Sequence, residues 1–187
     1  MMSGRIDRVV TRGGDGGETG LADGSRLRKS APRIEALGEV DETNATVGLL
    51  RAALPAEDPL LAVLTDLQQR LFDVGGALSL PGTDGFDAAA VADLEAALTE
   101  LNDSLPPLEN FVLPAGDEAT ARAHLARTVC RRAERAIVAL AEADPERDDP
   151  ALRRYLNRAS DLLFVVARIL ARRSGEEVLW APRRRKD

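Results

Sequence analysis

Five stretches of the chain repeat apolar positions every three or four residues, the period of a helix that buries one face. The first, Arg33–Leu54, follows a start signal from Ser30 and Pro32 and carries Leu37, Val40, Val47 and Leu50 as a stripe, with the polar Asn44 lying on it. Asp58-Pro59 opens the second, whose Leu60, Leu64, Leu67, Leu71 and Val74 form a buried seam that ends near Gly75-Gly76 or a little after. Asp87 caps a third over Ala88–Asn102. Asp117 caps a fourth over Ala119–Ala143, and Asp149-Pro150 opens a fifth that runs to Ser174, with Gly175 as its stop. On the fourth helix a wheel of about 100° per residue puts Leu125, Val129, Ala133, Ala136, Ile137 and Leu140 on the core side. The opposite side stacks Arg127, Arg131 and Arg135, with His124 and Glu134 beside them.

What precedes the helices has no such period. Ile6, Val9 and Val10 suit a short extended piece, and six glycines then fall between Gly13 and Gly24, so residues 1–32 form a Gly-rich segment. The bundle occupies 33–175 and a tail 176–187, together one domain. Two connections, Ser79–Phe86 and Asp103–Gly116, are long for a bundle, and the second is unusually apolar, reading PPLENFVLPAG. Its Phe111 either plugs the bundle end or is presented to a ligand.

Composition agrees with packed helices. Of the 187 residues 44% are hydrophobic but only 3% aromatic, an interior of Leu, Ala and Val, and the chain is all-α. A net charge of −6 disfavours nucleic-acid binding through bulk charge, so any anion site is local. The single cysteine, Cys130, precludes an internal disulfide and fits a reducing compartment. No apolar run approaches the ~18 residues of a membrane span and MMSGRIDRVVT lacks a signal-peptide core, which together predict a soluble, cytoplasmic protein.

Chemistry is bounded in the same way. One histidine precludes paired Glu-x-x-His motifs, hence a di-iron bundle, and no zinc site is credible. The glycines fit neither a Walker A loop nor a dinucleotide fingerprint. Taken alone, TRGGDGGET is either a flexible linker or a phosphate cradle, with converging backbone N–H groups, threonine hydroxyls, one basic side chain and a carboxylate able to hold a metal-bound water. The arginine face is likewise either a solvated surface or a grip for polyphosphate, because the guanidinium fork matches phosphate oxygens two at a time. In the fifth helix Asn157, Asp161, Phe164 and Arg168 share one line, and polar groups in so apolar a run need partners: Arg158 for Asp161, or the arginine face of the fourth helix for Asn157.

Three separated signatures, TRGGDGGETGL, RIEALGEVDETNA and FVLPAG…HLARTVCRRAER with YLNRASDLLFVVAR, resemble the PduO-type ATP:cob(I)alamin adenosyltransferase family over nearly the whole chain. The resemblance implies a five-helix bundle of ferritin-like layout, assembled as a homotrimer with active sites between subunits. It also implies transfer of the 5′-deoxyadenosyl group of ATP, carried with Mg²⁺, to cob(I)alamin, giving adenosylcobalamin and triphosphate. A cobalamin reductase and an adenosylcobalamin-dependent mutase are implied as partners, and neither nucleic acid nor membrane. By position, the nucleotide site comprises Thr11, Arg12, Gly14, Asp15, Gly16, Thr19, Lys29, Arg131, Arg132, Glu134, Arg135 and Asn157, with no protein metal ligand assigned. Asp41 would pair across the subunit interface with Arg127, and Phe111 would crowd the lower face of the corrin. The chain departs from the family's usual loop at Ala115, commonly Gly, and its end, APRRRKD, is unlike the family's tails.

Overall fold

The computed structural model describes residues 10, 12–80, 86–175 and 177–182. Ile6, Val9, Thr11 and the basic end of the tail fall outside the described residues. Five helices dominate: α1 (Pro32–Ala52), α2 (Leu60–Ser79), α3 (Ala89–Asp103), α4 (Glu118–Ala143) and α5 (Pro150–Ser174). α4 lies against both α1 and α5, with α2 packed on α1 and α3 on α5. The core is aliphatic: Leu64, Leu71 and Val74 of α2, Leu50 of α1 and Leu156, Leu162 and Leu163 of α5 are all but sealed from solvent. Each such side chain, fully buried, contributes roughly 1.5–3 kcal/mol.

The boundaries follow from identifiable caps. The Asp117 carboxylate accepts the Thr120 N–H at 2.8 Å, which satisfies one of the orphan donors of α4 and contributes about 1 kcal/mol. Asp149 does the same for Ala151 at 2.9 Å, and its second oxygen accepts the Phe86 N–H at 2.8 Å, which ties the incoming loop to the start of α5. Asp87 accepts the Ala89 N–H at 2.9 Å, but it stands one residue before the cap position, which Ala88 holds, and α3 starts at Ala89 rather than Ala88. Ser30 does not cap α1; Pro32 alone opens it, behind an extended Ala31. Gly116 is required where it stands: its φ is +141°, and a Cβ there would come within 2.9 Å of the Thr120 methyl.

Two expectations for α4 are corrected. Leu125 is 49% exposed, while Val129, Ala133, Ile137 and Leu140 are buried as expected and Ala123, Ala126 and Cys130 join them in the core. His124, expected beside the arginines, is 3% exposed and turned against Phe164, with ring centroids 6.3 Å apart. Both shifts have one cause. α4 is clasped by α1 on one side and α5 on the other, so its buried sector is wider than, and rotated from, the one an isolated wheel suggests.

The Gly-rich segment is not wholly irregular. Glu18–Gly20 (β1) and Arg26–Arg28 (β2) pair antiparallel, Thr19 opposite Leu27, around a turn in which the Asp23 carboxylate accepts the Ser25 N–H and Gly24 takes a φ of +83°. Leu21 and Leu27 lie with Leu140 and Ala143 around a cavity between this hairpin and the C-terminal end of α4.

Candidate functional site

The glycine loop is held as a compact turn. Gly17 and Asp15 donate backbone bonds to Gly14 and Arg12, the Lys29 N–H reaches the Gly17 carbonyl at 2.9 Å, and Arg26 donates to the Gly13 carbonyl at 2.7 Å. Arg12 sits at a φ of +58°, a left-handed conformation costly for a side chain with a Cβ and concentrated where backbone is shaped for a ligand. Bareness at Gly14 matters as well: a Cβ there would crowd the Lys29 ammonium at 3.2 Å. The loop therefore brings Arg12, Gly14, Asp15, Gly16 and Lys29 together, with Thr19 on the adjoining strand. Thr11 lies outside the described residues.

On α4 the arginines divide into two classes. Arg122 binds Glu118 and the Leu49 carbonyl, and Arg132 binds Glu39 at 2.5 Å and also Glu42, which fastens α4 to α1. Arg132, expected at the nucleotide, is thus engaged in a carboxylate fork. Arg127, Arg131 and Arg135 have no carboxylate partner among the described residues; Arg135 only donates to the Arg131 carbonyl at 3.1 Å. Arg127 is half-buried, its guanidinium 5.8 Å from the Phe164 ring centroid and its Nε without a partner. Burial and the neighbouring Arg131 charge both pull its proton affinity down, as expected where like charges crowd in a desolvated place. An uncompensated cationic row of this kind is poised for an anion.

Beside it lies a cavity of about 390 Å³ bounded by Arg127, Arg131, Asp161 and Phe164 from the two helices and by Leu108, Asn110, Phe111 and Val112 from the Pro-bounded loop. Phe111 is 77% exposed, so it is presented outward rather than plugging the bundle. The line read along α5 splits. Asp161 and Phe164 face this cavity, Asn157 donates to Glu134 at 3.1 Å, and Arg168 turns away to Glu177. Arg158 sits closer to Glu95, at 2.7 Å, than to Asp161, at 3.9 Å. Asp41 is exposed on α1 and makes no ion pair among the described residues.

Burial first and Arg127 second lower the His124 pKa and favour its uncharged ring. Among the described residues no group of three or more His, Cys, Asp or Glu could hold a metal ion. What the site offers is fixed cations and backbone donors, an apolar cavity and one outward aromatic ring. Sequence reading placed Arg168 on the α5 line but missed its partner Glu177, because the glutamate follows the helix-stopping Gly175 and has no periodicity to betray it.

Comparison with known proteins accounts for this combination. Residues 9–170 match the family described as Cobalamin adenosyltransferase. A cobalamin adenosyltransferase of Cupriavidus metallidurans is 48% identical over 180 residues, covering 96% of this chain and 97% of that protein. The corrinoid adenosyltransferase of Bacillus subtilis is 38% identical over 175 residues, covering 90% and 89%. Among solved structures, a variant PduO-type ATP:corrinoid adenosyltransferase from Lactobacillus reuteri, complexed with cobalamin and ATP, superposes with a TM-score of 0.85 at 31% identity, covering 94% of this chain and 100% of that one. A family model matching residues 9–170 and relatives matched over nearly the whole chain give one conclusion: the chain belongs to the cobalamin adenosyltransferase family.

Proposed function

We infer that the chain is an enzyme that adenosylates cobalamin with ATP, and that Arg127, Arg131 and Arg135 with the glycine turn and Lys29 form its polyphosphate grip. The observation that carries this is the contrast on one helix: Arg122 and Arg132 are satisfied by carboxylates, while the three arginines between and beyond them are not. Membership of the family supplies the reaction class, and relatives whose structures hold ATP and cobalamin support both substrates.

The chemistry asks little of the protein beyond placement and charge. Cobalt(I) is a strong nucleophile; it attacks the ribose C5′, a cobalt–carbon bond forms, and the C5′–O bond breaks with its electron pair leaving on triphosphate. No general base is needed, consistent with a neutral, buried His124. Negative charge gathers on the departing phosphates, where preorganised Arg131, Arg135, Lys29 and the N–H groups of the Gly13–Gly17 turn stabilise it without reorganising. Asp15 would hold a water of the nucleotide's Mg²⁺, and Asn157 with Glu134 would orient the nucleoside. Phe111 and Phe164 line the apolar cavity on the corrin side. In this reading Phe111 occupies the place of the lower axial ligand, which leaves cobalt(II) without that donor and easier to reduce.

Assembly completes the site. Exposed Asp41 and half-buried Arg127, neither with an opposite-charge partner among the described residues, are complementary charges that fit a contact between subunits of a homotrimer. A reductase must supply cobalt(I) and a mutase consumes the product, both in a reducing cytoplasm; no helix among the described residues is long and apolar enough to cross a membrane. The test is anaerobic incubation with ATP and chemically reduced cobalamin. The cobalt(I) spectrum should give way to that of the alkylated cobalt with release of triphosphate; no ATP-dependent change would overturn the reading.

A further inference from the structure

Residues 177–182 run back across the loop that carries Phe111. Val112 and Leu179 form an antiparallel bridge, the Leu113 N–H donates to the Val178 carbonyl and the Trp180 N–H to the Phe111 carbonyl, each at 2.8 Å, and the Asn110 amide donates to the Trp180 carbonyl at 2.8 Å. The Trp180 ring meets the Phe111 ring edge-on, centroids 6.2 Å apart at 72°. A favourable aromatic pair of this geometry sets the direction of an otherwise solvent-facing ring.

The segment is anchored through one carboxylate. The Glu177 carboxylate, 9% exposed, accepts from Arg168 Nε at 2.6 Å and Nη2 at 3.3 Å, and from Arg172 at 3.4 Å. Arg168 is itself 4% exposed, and its Nη2 also donates to the Pro106 carbonyl at 2.9 Å. A single guanidinium therefore joins the start of the loop and the returning segment to α5, one turn beyond Phe164 on the same face. A sealed pair of this kind is a poor source of net stability, because desolvation offsets most of its attraction; what it does well is fix a register.

We propose that the Arg168–Glu177 clamp and Trp180 are positioning elements for the corrinoid substrate, holding Phe111 over the cavity before the corrin arrives. This rests on the reading of Phe111 given under the preceding heading. A lone exposed aromatic on a loop would have to be immobilised on binding; a ring already braced by Trp180 loses less freedom, so the corrinoid binds more tightly and cobalt(II) sheds its lower ligand more completely. ATP binding, which uses the arginine row and the glycine turn, is unaffected.

Trp180 is the single tryptophan of the chain, so its fluorescence reports the segment's docking without any turnover. Glu177→Gln should redden that emission and expose it to acrylamide. Both Glu177→Gln and Trp180→Ala should raise KM for the corrinoid about fivefold to tenfold, lower the four-coordinate cobalt(II) fraction in the ATP complex and leave KM for ATP unchanged. Trp180→Phe should recover much of the loss, which a merely structural role would not require. If Glu177→Gln fails to fold, Trp180→Ala, which alters a half-exposed ring, decides alone. Wild-type corrinoid KM and four-coordinate fraction in these variants, with Phe111→Ala deficient in both, overturn the clamp and spare the role of Phe111. If Phe111→Ala instead keeps the wild-type fraction, the role of Phe111 falls and corrinoid KM judges the clamp: a rise in the Glu177 and Trp180 variants sustains it, no rise ends it.

Discussion

Replacing Arg131 by alanine separates catalysis from stability. Its side chain is exposed and meets no carboxylate, so the fold should change by no more than about 0.5 kcal/mol. The sign can even be favourable, since half-buried Arg127 loses a like-charged neighbour. Catalysis should respond very differently. One charge-assisted hydrogen bond in a water-poor site is worth roughly 1.5–3 kcal/mol, and at about 1.4 kcal/mol per decade its loss from the transition state lowers kcat/KM for ATP about tenfold to a hundredfold. Arg131→Lys retains the charge but not the two-pronged donor and should recover only part. The assay is anaerobic adenosylation of reduced cobalamin at varied ATP, read from the cobalt spectrum and paired with thermal melts. Arg132→Ala is the internal contrast: its fork to Glu39 and Glu42 joins α4 to α1, so its first effect should be a lower Tm. Wild-type kcat/KM for ATP in Arg131→Ala, or a loss that tracks a fall in Tm, would refute the argument.

Further outcomes concern other parts of the molecule. Asp41→Asn and Arg127→Gln should each shift a trimer toward smaller species in sedimentation, and the double variant should shift it no further than the stronger single; additive shifts would mean the two residues do not meet. Acidification should undock Trp180 only at low pH. Hydrogen bonding to Arg168, above all, and to Arg172 outweighs burial and holds the Glu177 carboxyl below the usual range, so its stabilisation is complete above the unfolded value of ~4.3 and is lost as pH falls through the lower folded one; a fluorescence midpoint above pH ~4.3 would contradict this. The Cys130 thiol, wholly buried and pushed up to about 12, should resist alkylation in the native protein and react fully in denaturant; rapid native labelling would mean that the α4–α5 seam opens.

Helix existence and type were legible because each helix carries both a long apolar row and local punctuation. Asp117, Asp149 and Gly175 mark their ends to within about a residue of the observed bounds, and the α2 leucines are all buried as spaced. The arginine row of α4 was legible too, since its members differ by whole helical turns. Which arginines are free was not. Arg132 is matched by Glu39 and Glu42, about 90 positions earlier in the chain, and only the packing of α1 on α4 brings them together. The β1–β2 hairpin eluded the pattern because strands of three residues are too short for an alternation to be counted. His124 shows the same limit from the other side: on the wheel of α4 it falls beside the arginines, but Phe164 of α5 packs against it.

The ends of α4 keep different company. At one end the hairpin below the glycine turn rests near Leu140 and Ala143; at the other the aromatic loop and its returning strand gather near the helix start. Between them the arginine ladder spans about 12 Å at 1.5 Å per residue, on a helix whose far side is locked into the bundle. A lineage could therefore retailor which cobalt macrocycles it accepts by editing residues 106–113 and 177–180, with the nucleotide's seat untouched. On the proposed reading, the arginine row along which the two molecules would meet lies outside both of those segments.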